Sequence, residues 1–168
     1  MYTYSIPLFS RFSIIVLLVY FHSTAFGQAT KLSNQNKQMI NKYFEVVINA
    51  HNLDRKGNFF QPDYTWHTMD GKTTQSSQDT SHNATLRWLF SAIPDVHYTI
   101  DHILAEEDMV AVNTTATGLA KSELFGLPAG LKKVRYQQMF FYRLKDGKIA
   151  EQWEVVDRDG LMEQLGKQ

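Results

Sequence analysis

The sequence predicts an α+β domain with an antiparallel sheet. Three observations carry that expectation. Apolar residues at helical spacing dominate the stretch up to Pro94, long alternating stretches follow it, and the links between them are short, one being the hairpin dipeptide Asp146-Gly147.

Residues 1–27 read as a secretory signal peptide. Arg11 supplies the positive charge, Ser13 to Phe21 the apolar core, and Ala25-Phe26-Gly27 a small-x-small cleavage site. The apolar run is too short for a membrane span, which takes roughly 20 residues. No cysteine follows it, which excludes lipid attachment there. Export is therefore expected, to the periplasm first and the extracellular space second, with no membrane span left after cleavage.

Residues 28–36 are polar and read as a loose lead-in. Over 34–49, Met39, Ile40, Tyr43, Phe44, Val46, Val47 and Ile48 give helical spacing with a broad apolar face, as for a helix laid against a sheet. Residues 53–60 read as a short second helix interrupted by Gly57, 64–67 as a short strand and 69–77 as a polar loop. Thr80 or Ser81 can cap a helix over 82–92, which Pro94 stops. The stretches 96–106, 109–117 and 134–144 alternate and are rich in Val, Ile, Thr, Tyr and Phe, as strands are. Between the last two lies Leu124-Phe125-Gly126-Leu127-Pro128, an apolar loop placed to cover a cavity mouth. Asp146-Gly147 turns the chain into a strand over 148–156, and a short helix over 160–165 ends it.

Composition removes several functions. With 17 Lys+Arg against 17 Asp+Glu there is no excess positive charge for a nucleic-acid surface. The absence of cysteine removes disulfides, thiol nucleophiles and Cys-ligated metals. His97 and His102, five apart on a regular strand, fall on opposite faces and suit no shared metal.

Several segments carry a resemblance. Tyr43-Phe44-Glu45, Asn49-Ala50-His51-Asn52-Leu53-Asp54, and Phe60 with Pro62-Asp63-Tyr64 resemble the opening of the SnoaL-like family. So do Phe125-Gly126-Leu127-Pro128-Ala129-Gly130, the block from Asp146 through Trp153-Glu154-Val155-Val156-Asp157, and Gly160-Leu161-Met162-Glu163-Gln164-Leu165-Gly166. The resemblance spans about residues 37–166. It implies a cone-shaped α+β fold of the nuclear-transport-factor-2-like kind, with a curved antiparallel sheet around a deep apolar pocket. It also implies intramolecular aldol cyclisation by an acidic acid/base residue, with neither metal nor cofactor, acting on a small hydrophobic ligand. Folds of this kind commonly pair through the bare sheet, so a homodimer is expected.

The Asp146-Gly147 turn decides which residues share the pocket face. A two-residue turn pairs Lys145 with Lys148 and puts Gln138 opposite Val155. A three-residue turn, with Gly147 as a left-handed bulge, pairs Leu144 with Lys148 and puts Gln138 opposite Glu154. The resemblance favours the bulged turn, because in relatives the acidic residue after the conserved tryptophan faces the pocket. Glu154 is that position, and Gln138 maps to a polar pocket residue. Two residues further on, where family cyclases tend to carry a polar group, stands Phe140.

The candidate catalytic residues are then Glu154 as acid/base, Asp157 as the alternative base, and His67 and Gln138 as polar partners. A carboxylate in an apolar hollow has its pKa raised toward a useful range. Asp157 equally fits the cap of the last helix, and His67 a structural histidine. Trp66, Tyr136, Phe140, Trp153 and Phe125 are the candidate ligand-binding side chains. A cofactor-independent cyclase or isomerase and a non-catalytic binding domain both remain open at this stage.

Overall fold

Helix α1, residues 30–43, runs on into a widened π turn, Phe44–Ile48. The computed structural model describes residues 28, 30–68, 73–75 and 81–166. The expected signal peptide and Thr80 as a cap lie outside these. The supposedly loose lead-in is helical from residue 30, where Ser33 Oγ donates to the Ala105 carbonyl and Asn36 Nδ2 to that of Glu107. Those long-range bonds anchor a polar segment that has little apolar surface of its own.

Ile40, Tyr43, Phe44, Val47 and Ile48 are all buried on one face of this helix. The π turn ends at Asn49, whose side chain donates to the Tyr98 carbonyl and accepts from the Tyr98 N–H. Asn49 thus clamps the helix end to the sheet. A 3₁₀ turn, Leu53–Asn58, replaces the expected second helix. Strand β1 is Phe60–His67, twice the expected length, and β2, Thr73–Gln75, forms within the expected loop. Helix α2 is Ser81–Ala92. Strands β3, His97–Glu106, and β4, Met109–Ala120, precede β5, Lys132–Lys145, and β6, Lys148–Val156. Helix α3, Arg158–Leu165, closes the described chain.

The six strands order as β2-β1-β6-β5-β4-β3 in one sheet. Every neighbouring pair is antiparallel except β1 with β6, which is parallel, the two strands being far apart in the chain and so free of a hairpin's constraint. A bulge between Ile100 and His102 offsets the alternation of β3, so His97 and His102 are both exposed rather than split between faces. Among the described residues no helix is long and apolar enough to cross a membrane, and no group of three or more His, Asp and Glu side chains could hold a metal.

The last hairpin decides the pocket, and it follows neither expected register. Asp146 and Gly147 both have positive φ, 51° and 72°, so the turn has two residues and pairs Lys145 with Lys148. The bulge lies further along, at Ala150: Leu144 pairs with Ile149, but Arg143 with Glu151. Ile149 faces inward before the bulge, and Gln152 and Glu154 face inward after it. Phe140 therefore stands opposite Glu154 and Gln138 opposite Val156. One extra residue re-aims the rest of the strand.

Gly118 on β4 shows how tightly the sheet meets the end of α2. A Cβ there would clash with Ile93 Cγ2 and come within 3.2 Å of the Val96 Cα. Gly118→Ala is therefore expected to cost about 1–3 kcal/mol through overpacking. A denaturation midpoint matching that of the parent protein would contradict this packing.

Candidate functional site

Between the sheet and helices α1 and α2 lies a hollow with two lobes. The inner lobe, about 50 Å³, is lined by Tyr43, Phe44, Phe140, Tyr142, Gln152 and Glu154, with His82 beside them. The outer lobe, about 180 Å³, is lined by Trp88, Ile93, Leu124, Phe125, Tyr136 and Leu161. Thr85, Leu89, Tyr98, Gln138 and Glu154 border both, so Glu154 stands at the junction.

The polar groups at that junction form a directed chain. Gln138 Nε2 and Gln152 Nε2 each donate to Glu154 Oε2 at 3.2 Å. Gln138 Oε1 accepts from the Tyr98 hydroxyl at 2.9 Å, and the Tyr98 oxygen lies 3.1 Å from that of Tyr136. Tyr98 has one proton and spends it on Gln138, so Tyr136 donates to Tyr98. Burial raises the pKa of Glu154, and the Gln152, Trp66 and Gln138 side chains and the Lys56 charge oppose that rise only in part. Burial likewise pushes the Tyr136 hydroxyl up to about 12, so it keeps its proton at neutral pH.

Placement of the other expected residues is mixed. Tyr136, Phe140 and Phe125 line the hollow. The Phe125 mouth loop is pinned by reciprocal backbone bonds between Leu124 and Leu127, and the Arg158 guanidinium stacks on the Phe125 ring at 4.9 Å. Trp66 is buried behind the lining, stacked on His82 at 4.7 Å.

Three residues fall outside the hollow. His67 follows inward Trp66 on β1 and so points to the opposite face. There it stacks on Trp153 at 4.5 Å, and its Nε2 lies 3.1 Å from Glu151 Oε2. Trp153 faces outward with it, because the Ala150 bulge sends Gln152 and Glu154 inward instead. Asp157 is exposed and caps α3, accepting from the Gly160 N–H at 3.0 Å. An acceptor spent on a helix end, on the solvent side, is not poised as a pocket base.

A buried polar cluster behind the inner lobe had no signal in the sequence. Lys56 is only 4% exposed, and its ammonium donates to Tyr64 Oη at 2.6 Å and Asn83 Oδ1 at 3.0 Å. It also lies 2.7 Å from His82 Nδ1. Burial, followed by the Lys56 charge, holds the His82 pKa well below its ordinary value, so the ring is neutral and Nδ1 accepts from the ammonium. The run Asp54-Arg55-Lys56-Gly57 reads as part of a short helix in which nothing marks Lys56 as buried, and only the tertiary fold turns Lys56 inward.

Comparison with known proteins bears on the family and the fold. The family model described as SnoaL-like polyketide cyclase matches residues 37–165. Among solved structures, AclR from Streptomyces galilaeus superposes with a TM-score of 0.72 at 24% identity, covering 81% of this chain and 98% of that one. IdmH from Streptomyces antibioticus gives 0.69 at 22% identity, covering 79% and 99%. A SnoaL-like polyketide cyclase from Agrobacterium tumefaciens gives 0.66 at 21%, covering 78% and 98%. At these identities the superpositions show the fold. No curated protein matches the chain.

Proposed function

The chain belongs to the SnoaL-like polyketide cyclase family, and from that membership we propose that it acts without a cofactor on a small hydrophobic, enolisable carbonyl compound, as a cyclase or isomerase working by proton transfer. The observation that carries the reading is the Ala150 bulge, which turns Glu154 from the outer face into the junction of the two lobes. In this reading the Glu154 carboxylate takes the proton from the carbon next to the carbonyl. The C–H electron pair forms the enolate double bond, and the carbonyl π pair moves onto oxygen. In a cyclisation the enolate carbon attacks a second carbonyl of the same molecule, whose π pair moves onto its oxygen, and that alkoxide takes a proton from Glu154. In an isomerisation Glu154 returns a proton to another carbon of the enolate. In both cases the proton held on Glu154 exchanges with solvent in between. Gln138 and Gln152 donate to Oε2 and so fix the carboxylate at the junction of the lobes. The apolar outer lobe supports a ring-sized hydrocarbon body for that substrate.

The alternative is a binding domain that kept the pocket without turnover, and the observation behind it is Phe140 where family cyclases carry a polar group. Deuterium exchange separates the two readings. With 2-tetralone in D₂O, the protein is expected to exchange the α-protons faster than buffer alone, as read by ¹H NMR. Exchange at the buffer rate, with the ketone bound, would leave only the binding domain.

Export rests on the pattern of residues 1–27. Pairing of two copies through the outer sheet face would cover Met139, Phe141, Val155 and Leu104, which are 48%, 50%, 64% and 73% exposed.

A further inference from the structure

Tyr142 lies on β5 directly opposite Gln152, and both line the inner lobe with Glu154. It is fully buried, yet its hydroxyl has no hydrogen-bond partner among the described residues. Gln152 Oε1, 2% exposed at the residue level, is likewise unpartnered there. Buried polar atoms are nearly always paired, and leaving one unpaired costs stability. The ring itself is rigidly held, stacked on Phe140 at 5.8 Å and edge-on to Tyr43 at 6.3 Å. An unpaired donor on a fixed ring, in the same lobe as the base, is oriented before any ligand arrives.

We infer that the Tyr142 hydroxyl is the donor that receives the substrate's carbonyl oxygen in the inner lobe, while the hydrocarbon body fills the outer lobe. This rests on the proton-transfer reading above and adds the group that stabilises the oxyanion. As Glu154 takes the α-proton and charge moves onto the carbonyl oxygen, the O–H of Tyr142 strengthens its hydrogen bond to that oxygen without giving up its proton. Burial, with the charges of Tyr43 and Glu154, raises the Tyr142 pKa well above its ordinary value, so the donor stays protonated. The titratable groups facing the junction are Glu154, Tyr43, Tyr98, Tyr136 and Tyr142, with His82 and Lys56 behind them. The order of the lobes also sets specificity: the reactive carbonyl sits at the end of the ligand that enters the smaller lobe, about 50 Å³ against about 180 Å³ for the other.

Tyr142→Phe keeps the ring and removes the hydroxyl. With 2-tetralone, the variant's exchange rate is expected to fall roughly 100-fold, the usual cost of one such donor. Its affinity for naphthalene, which is similar in size and lacks the oxygen, should change less than about twofold, and its Tm should stay level or rise because an unpaired polar group is gone. A hydroxyl with a merely structural role would instead lower Tm and leave exchange per folded molecule unchanged. Either of those results overturns the inference. If the parent protein exchanges 2-tetralone no faster than buffer, the proton-transfer reading itself falls, and this inference with it. If the parent is active and Tyr142→Phe matches it, only the role of Tyr142 falls.

Discussion

Glu154→Gln is expected to lower α-proton exchange by at least about 100-fold, the contribution of a positioned general base, while affinity for the ketone stays within about twofold. The amide keeps the size of the side chain and can still accept at Oε1 from Gln138 and Gln152, so the lobes survive and the base does not. His67→Ala and Asp157→Asn are the matched controls, since one side chain lies on the outer face and the other caps α3. Both should exchange at the parent rate. The pH dependence has a definite sign. Burial raises the Glu154 pKa, so exchange grows as pH rises through that raised value and levels off above it. The same shift acts on stability in the opposite sense. The folded state holds the proton more tightly than the unfolded one, so ionising Glu154 costs stability as pH rises from the unfolded value toward and through the folded one. Glu154→Gln should therefore raise Tm at neutral pH, and the gain should vanish in acid, below the pKa of an unfolded glutamate.

The second large effect concerns the floor of the hollow. Tyr43→Ala is expected to cost about 3–5 kcal/mol, the range for deleting a buried aromatic ring. Tyr43 is 1% exposed and packs on Phe59, Phe60 and Tyr142 with ring centroids 5.2–6.3 Å away. One ring thus joins α1 to β1 and β5, and its loss leaves a void that three elements cannot close together. Against a typical domain stability of about 5–15 kcal/mol, such a loss brings the variant close to unfolding. Urea denaturation measures it directly, and a loss below about 1 kcal/mol would show that Tyr43 is not the joint described here.

Local patterns made the architecture legible because they agree with the tertiary result. Alternation in β5 marks Val134, Tyr136, Phe140, Tyr142 and Leu144 as buried, and they are. The spacing of Ile40, Tyr43, Phe44 and Val47 marks the face of α1 that meets the sheet. The site was legible only in part, and the reason is the hairpin. Asp-Gly suits either turn, and nothing in Lys148-Ile149-Ala150-Glu151 announces a bulge at Ala150. The sequence reading reached an inward Glu154 by placing the extra residue at Gly147. The facing set of Gln138, Phe140 and Glu154 came out the same, but the partners did not, since Phe140 rather than Gln138 stands opposite Glu154. His67 was misplaced for a related reason: Trp66 and His67 alternate, and only the parallel pairing of β1 with β6 decides which of them enters the core. Lys56, His82 and Tyr142 were beyond pattern reasoning altogether. Their significance lies in contacts between segments far apart in the chain, and a tyrosine with an unpaired hydroxyl looks like any other core tyrosine in a strand.

The most direct test is a ¹³C NMR titration of the Glu154 side-chain carboxyl, free and with 2-tetralone bound, using Glu154→Gln to assign the signal. The account predicts a midpoint above the ordinary glutamate range that moves when the ketone enters the hollow. A midpoint at the value of a solvent-exposed glutamate, unmoved by the ketone, would contradict it.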